Sequence, residues 1–98
     1  MWGYTFDGAY ASAHSLESKA GVYVIWCETP TRLLVLDVGE SGDLKGRVAN
    51  HERAGCWSRR CTGRIRYSAT YTPDLNQAGR LEIEARIRSI AAPPCGAH

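Results

Sequence analysis

Gly21-Val22-Tyr23-Val24-Ile25-Trp26-Cys27 is the stretch on which the fold turns. It is apolar, β-branched or aromatic at odd and even positions alike. Side chains in a strand alternate between faces, so both faces must be covered, and the reading is a central strand. Downstream, Glu28-Thr29-Pro30-Thr31 carries turn chemistry and Leu33-Leu34-Val35-Leu36-Asp37-Val38 repeats the apolar pattern, which predicts an antiparallel hairpin. Gly39-Glu40-Ser41-Gly42 breaks the second strand, and Ser41 is placed to cap a helix from Asp43 to about Arg53. On that helix Leu44 and Val48 can face the sheet, while Arg47 and His51, also four apart, share a neighbouring stripe. Gly55 reads as the stop and Cys56 to Gly63 as a loop.

Arg64 to Tyr71 alternates, with Ile65, Tyr67, Ala69 and Tyr71 on one face and polar partners on the other, which predicts a strand with one wet side. Thr72-Pro73 reads as the opening of a helix that runs to about Ile90, and Pro93-Pro94 stops it. Ile83, Ile87 and Ile90 form its apolar stripe, extended by Leu75, Ala78 and Leu81. Upstream, residues 1–18 show no sustained period and read as an irregular lead-in, packed over the core through Trp2, Tyr4 and Phe6. The expected fold class is α+β: a small antiparallel sheet of three main strands with helices packed on it, in the order β-β-α-β-α. The 98 residues fit one domain, 1–98, with its core in 20–96 and no room for a second.

Twelve basic against ten acidic side chains leave a formal net charge of +2, too small for the whole molecule to act as a polycation. Contact with nucleic acid would have to come from local placement. Arg53, Arg59, Arg60, Arg64 and Arg66 crowd into one stretch after Glu52 and form a candidate phosphate-facing surface; a solvated loop and strand face is the competing reading. No apolar run approaches the ~20 residues needed to cross a bilayer, and the first residues lack the pattern of a secretion signal. The expectation is therefore an intracellular, cytoplasmic protein without a membrane partner. In that setting Cys27, Cys56, Cys61 and Cys95 read as reduced thiols. A zinc site from His51, Cys56 and Cys61 lacks the close ligand pairs such sites show.

Gly21-Val22-Tyr23 in the first strand, Asp37-Val38-Gly39 closing the second, and Asp43-Leu44-Lys45-Gly46-Arg47-Val48-Ala49-Asn50-His51 after it resemble the core of the GIY-YIG endonucleases. Glu84, followed by Ile87 and Pro93, is similar to that family's last helix. The resemblance covers about residues 20 to 96. It implies hydrolysis of DNA phosphodiester bonds. Tyr23, supported by His51, would activate water, Arg47 would stabilise the scissile phosphate, and Glu84 would hold one divalent ion, Mg²⁺ or Mn²⁺. Lys45, Arg59, Arg60, Arg64 and Arg66 would be the nucleic-acid-binding residues.

One position departs from the family pattern. Asp37 stands where the second motif has tyrosine, and aspartate is disfavoured in strands. Either it is a second metal ligand or a base in a modified site, or the centre is degraded and the domain only binds nucleic acid or protein. Without a separate DNA-reading module, selectivity would need a protein partner, a homo-oligomer, or a structured substrate such as a branch or nick.

Overall fold

The computed structural model describes residues 1–96. Four strands, β1 (Asp7–Tyr10), β2 (Gly21–Glu28), β3 (Leu33–Ser41) and β4 (Arg64–Tyr71), form one antiparallel sheet in the order β1-β4-β2-β3. Three helices, α1 (Leu44–Ala49), α2 (Ala54–Arg60) and α3 (Gln77–Ala91), complete it. The α+β class holds and the expected order is kept. A fourth strand precedes it, inside the segment expected to be irregular.

β2 is central, as its two-faced apolar pattern requires, and residues 21–27 are all buried. Tyr23, Ile25 and Cys27 enter one core with Leu36, Leu44, Val48, Trp57 and Cys95, beneath α1 and α2. Val22, Val24 and Trp26 enter a second with Val38, Ile83 and Ile87 beneath α3, where Trp2, Tyr4 and Phe6 pack as expected. Trp2 lies stacked on Trp26 with ring centroids 5.7 Å apart. The β2–β3 hairpin closes through Thr29, whose N–H donates to the Arg32 carbonyl at 2.8 Å and whose hydroxyl accepts the Arg32 N–H at 3.0 Å.

Several local expectations give way. The single helix from Asp43 to Arg53 is two: α1 ends at Ala49, and α2 occupies part of what read as a loop, with Gly55 inside it. Asp43, not Ser41, caps α1, its carboxylate accepting the Gly46 N–H at 3.2 Å, while Ser41 accepts the Asp43 N–H. Helix α3 starts at Gln77 behind an Asn76 cap rather than at Thr72-Pro73. Only Ile83 and Ile87 of its expected stripe are buried, and Leu75, Ala78, Leu81 and Ile90 are exposed, because β3 and β2 meet one narrow face of the helix.

The cysteines are not free thiols. Cys27 is bonded to Cys61, and Cys56 to Cys95. Both bonds hold the α2 segment, one to the end of β2 and the other to the chain beyond α3. This also removes the zinc set, since its two cysteines sit in different disulfides. Among the described residues no helix is long and apolar enough to cross a membrane.

Candidate functional site

β3 is the edge strand, and the candidate residues meet over it. Its register slips between Ile25 and Trp26, where Ile25 pairs with Asp37 and Trp26 with Val35, leaving Leu36 as an extra residue. Such a bulge re-aims side chains, and here it leaves Asp37 opposite Ile25, whose side chain enters the core under α1 and α2. Tyr23 extends across β3 at Gly39. A Cβ built on Gly39 would stand 2.1 Å from the Tyr23 hydroxyl, so the phenol passes only because glycine is there.

Beyond Gly39 the phenol oxygen lies 2.5 Å from His51 Nε2. The His51 ring is buried between Tyr23 and Trp57, and its Nδ1 accepts the Arg53 backbone N–H at 3.0 Å. An accepting Nδ1 in a neutral imidazole leaves the proton on Nε2, so His51 donates to Tyr23. Arg53 Nη2 donates to the same oxygen at 3.2 Å. The phenol oxygen thus receives two donors while its own proton is left to point elsewhere. Burial, followed by the Asp37 charge, pushes the Tyr23 phenol above its ordinary range despite Arg53 and Arg47, so it is neutral when the site is empty of substrate.

Burial, then the charges of Arg47 and Arg53, hold the His51 imidazole down at about 4. An unfolded histidine titrates near ~6.5. The stability that comes from this neutral ring is therefore complete above about pH 6.5 and is lost as pH falls toward the folded value. Thermal unfolding of the wild-type protein between about pH 6.5 and 4 is expected to show a steeper loss than that of His51→Gln. Equal slopes would mean the ring is charged in the folded state.

Asp37 is fully buried and its oxygens are saturated. Oδ2 accepts from Arg53 Nε at 2.7 Å and Trp57 Nε1 at 2.8 Å. Oδ1 accepts from Arg88 Nη2 at 2.7 Å, the Val38 N–H at 2.8 Å and Arg53 Nη2 at 3.3 Å. A carboxylate offers about four acceptor positions, so none remains for a metal ion or a water proton. The expectation of Asp37 as metal ligand or base is corrected on that ground: it is the anchor that fixes Arg53, Arg88 and Trp57.

Arg47 and Glu84 complete the group. Arg47 makes a two-pronged pair with Glu52, Nη1 to Oε2 and Nη2 to Oε1. Glu84 is half-buried on α3, one turn before Arg88, and makes no hydrogen bond or ion pair among the described residues. Burial pushes its carboxyl up; Arg88 opposes this, and the nearby Glu40 carboxylate adds to it. Its charge and that of Arg47 both act on the Tyr23 phenol. Tyr23, His51 and Arg53 are in direct contact, and Arg47 joins them through Glu52.

Lys45 is on α1, two positions before Arg47, and the candidate nucleic-acid-binding arginines lie apart from the site. Arg64 pairs in register with Glu28, five residues along β2 from Tyr23 or roughly 16 Å at strand rise, with Arg59 and Arg60 in the last turn of α2. Arg59, Arg60 and Arg64 are exposed, and they and Lys45 have no ion-pair partner among the described residues. Arg66 is engaged by Glu28 at 3.0 Å.

Arg88, Trp57 and Glu52 were not singled out, and Arg53 was named only within the candidate phosphate-facing stretch, not beside Tyr23. The one signal for Arg53, Arg88 and Trp57 was an aspartate in an apolar strand, which requires buried donors but does not say from where. Among the described residues no group of three or more His, Cys, Asp or Glu side chains could hold a metal. Glu84 fits a divalent ion in a more limited way: a half-buried carboxylate without a protein partner, beside Glu40, which is itself paired with Arg80 at 2.9 Å. Mg²⁺ keeps most of its waters and takes one or two carboxylates. In comparison with known proteins, no family model, no curated protein and no solved structure matches this chain.

Proposed function

We propose that the chain is a metal-dependent nuclease domain of the GIY-YIG type acting on DNA phosphodiester bonds. The observation that carries the reading is the Tyr23 hydroxyl, 2.5 Å from His51 Nε2, with Arg53 behind it and the Arg47 and Glu84 charges acting on it. Phosphodiester hydrolysis needs a placed water, a cation on the phosphoryl oxygens and relief of the leaving oxygen's charge. The neutral phenol directs its proton outward and orients the water. Its two donors, from His51 and Arg53, fix the phenol oxygen so that its own proton faces the attacking water. Arg47, always cationic, matches the planar spacing of two phosphate oxygens. Glu84 would hold one Mg²⁺ or Mn²⁺, which would offset charge on the departing oxygen.

The two disulfides favour a working form in an oxidising setting, against the cytoplasmic expectation drawn from the first residues and the absence of a long apolar run. The exposed Arg59, Arg60 and Arg64 would extend contact along the substrate backbone.

Duplex, nicked and branched DNA incubated with Mg²⁺ or Mn²⁺ provides the test. Cleavage by the wild type and its loss in Glu84→Gln is the expected result. Salt-sensitive binding without any cleavage would leave a binding module in place of an enzyme.

A further inference from the structure

Glu52 makes the most exposed contact in this cluster and touches three of its members. Its Oε1 receives Arg47 Nη2 at 2.8 Å and lies 3.9 Å from Arg53 Nη1; its Oε2 receives Arg47 Nη1 and lies 3.8 Å from His51 Nδ1. The Glu52 side chain is 62% exposed, while those of Arg47 and Arg53 are 35% and 27% exposed. Arg53 is held by its inner edge. Nε and Nη2 face Asp37, and Nη2 also reaches Tyr23, so Nη1 is the end turned toward Glu52. A surface carboxylate is thus clasped by two guanidinium groups, one of which touches the phenol expected to orient water.

A carboxylate and a phosphodiester share the features that a guanidinium fork reads: one negative charge and two oxygens in a plane. We propose that Arg47 and Arg53 together form the seat for the scissile phosphate, and that the Glu52 carboxylate occupies this seat until a substrate phosphate displaces it. The proposal rests on the nuclease reading for the identity of the anion, and it adds Arg53 as a phosphate-binding residue and Glu52 as an internal competitor. Displacement is easy for an exposed side chain, since ion pairs at the surface are weak and screened by water. Asp37 is the reason Arg53 does not follow Glu52 outward, because the buried carboxylate keeps its inner edge fixed.

The test is binding of a short fluorescein-labelled DNA oligonucleotide at low salt in EDTA, where cleavage does not enter. Glu52→Gln removes the competing charge and is expected to tighten binding about tenfold. Asp7→Asn, on the opposite edge strand β1, makes the same change in net charge and is expected to do much less. In the Glu52→Gln background, Arg47→Ala is expected to abolish the gain. Equal affinity for Glu52→Gln and Asp7→Asn would overturn the proposal, as would a gain that survives Arg47→Ala. The two readings fail separately. Tight, Arg47-dependent binding by Glu52→Gln with no cleavage under Mn²⁺ would leave the phosphate seat standing and remove the nuclease; Glu84-dependent cleavage with an unaltered Glu52→Gln affinity would do the reverse.

Discussion

Asp37→Asn is expected to destabilise the protein by about 3–5 kcal/mol, the usual cost of removing one partner from a buried ion pair. The shape is nearly unchanged, so the loss is electrostatic. Asparagine keeps one acceptor oxygen and turns an amide donor toward groups that are donors themselves: Arg53, Arg88, the Trp57 indole and the Val38 N–H. Two guanidinium groups would then lose the buried counter-charge they share. For a domain of this size the melting temperature is expected to fall by more than about 12 °C, readable by circular dichroism. Cleavage is expected to fail even at temperatures where the variant remains folded, because Arg53 loses the anchor that holds it to Tyr23. A drop of only a few degrees would mean that Asp37 is not the charge partner of both arginines.

Reduction of the disulfides is expected to have an effect of similar size. The bonded cysteines are 34 and 39 positions apart, and in the chain-entropy account closing loops of that length stabilises by about 3–4 kcal/mol each. Set against the roughly 5–15 kcal/mol typical of a whole domain, losing both is expected to leave the protein largely unfolded near 37 °C. The two bonds differ in what they release. Helix α2 has one buried side chain, Trp57, and no side-chain cap, so the pair Cys56→Ala with Cys95→Ala frees it from the chain beyond α3. The segment that carries His51 and Arg53 leads directly into that helix. Melting with and without a phosphine reductant checks the first statement, and coincident curves would contradict the pairing. Hydrogen exchange at α2 in the double alanine variant checks the second.

These two expectations mark where sequence and structure part. The hairpin was legible because β2 is apolar on both faces and its turn carries Thr29-Pro30. Tyr23, Arg47, His51 and Glu84 could be named through the resemblance to the GIY-YIG core, which rests on motifs that are local in the chain. Helix α2 could not. Gly55 looks like a stop, and what sustains a seven-residue helix through it is the insertion of Trp57 and two bonds to distant segments. Four cysteines allow three pairings, and nothing in their spacing chooses between them. Arg53 and Arg88 look the same in sequence as the exposed Arg59 and Arg60. Which arginine turns inward depends on a bulge in β3 that moves Asp37 to the phenol's side of the sheet. At the start of α3, a local Pro signal at Pro73 lost to the Asn76 cap, and residues 73–76 are all exposed.

The groups that surround Asp37 also seal a sheet margin. As the outermost strand, β3 turns unpaired backbone carbonyls outward, and two of these are taken: Leu36 O by the Cys95 N–H at 2.9 Å and Val38 O by Arg88. Strand margins left open recruit other chains. Here the tail beyond α3 and one arginine stand in for a neighbouring strand, while Leu33 and Leu34 at the start of β3 remain exposed. Releasing the tail would therefore bare the Leu36 carbonyl between the exposed leucines and Arg88, and self-association along this margin would follow from the same event that loosens the site.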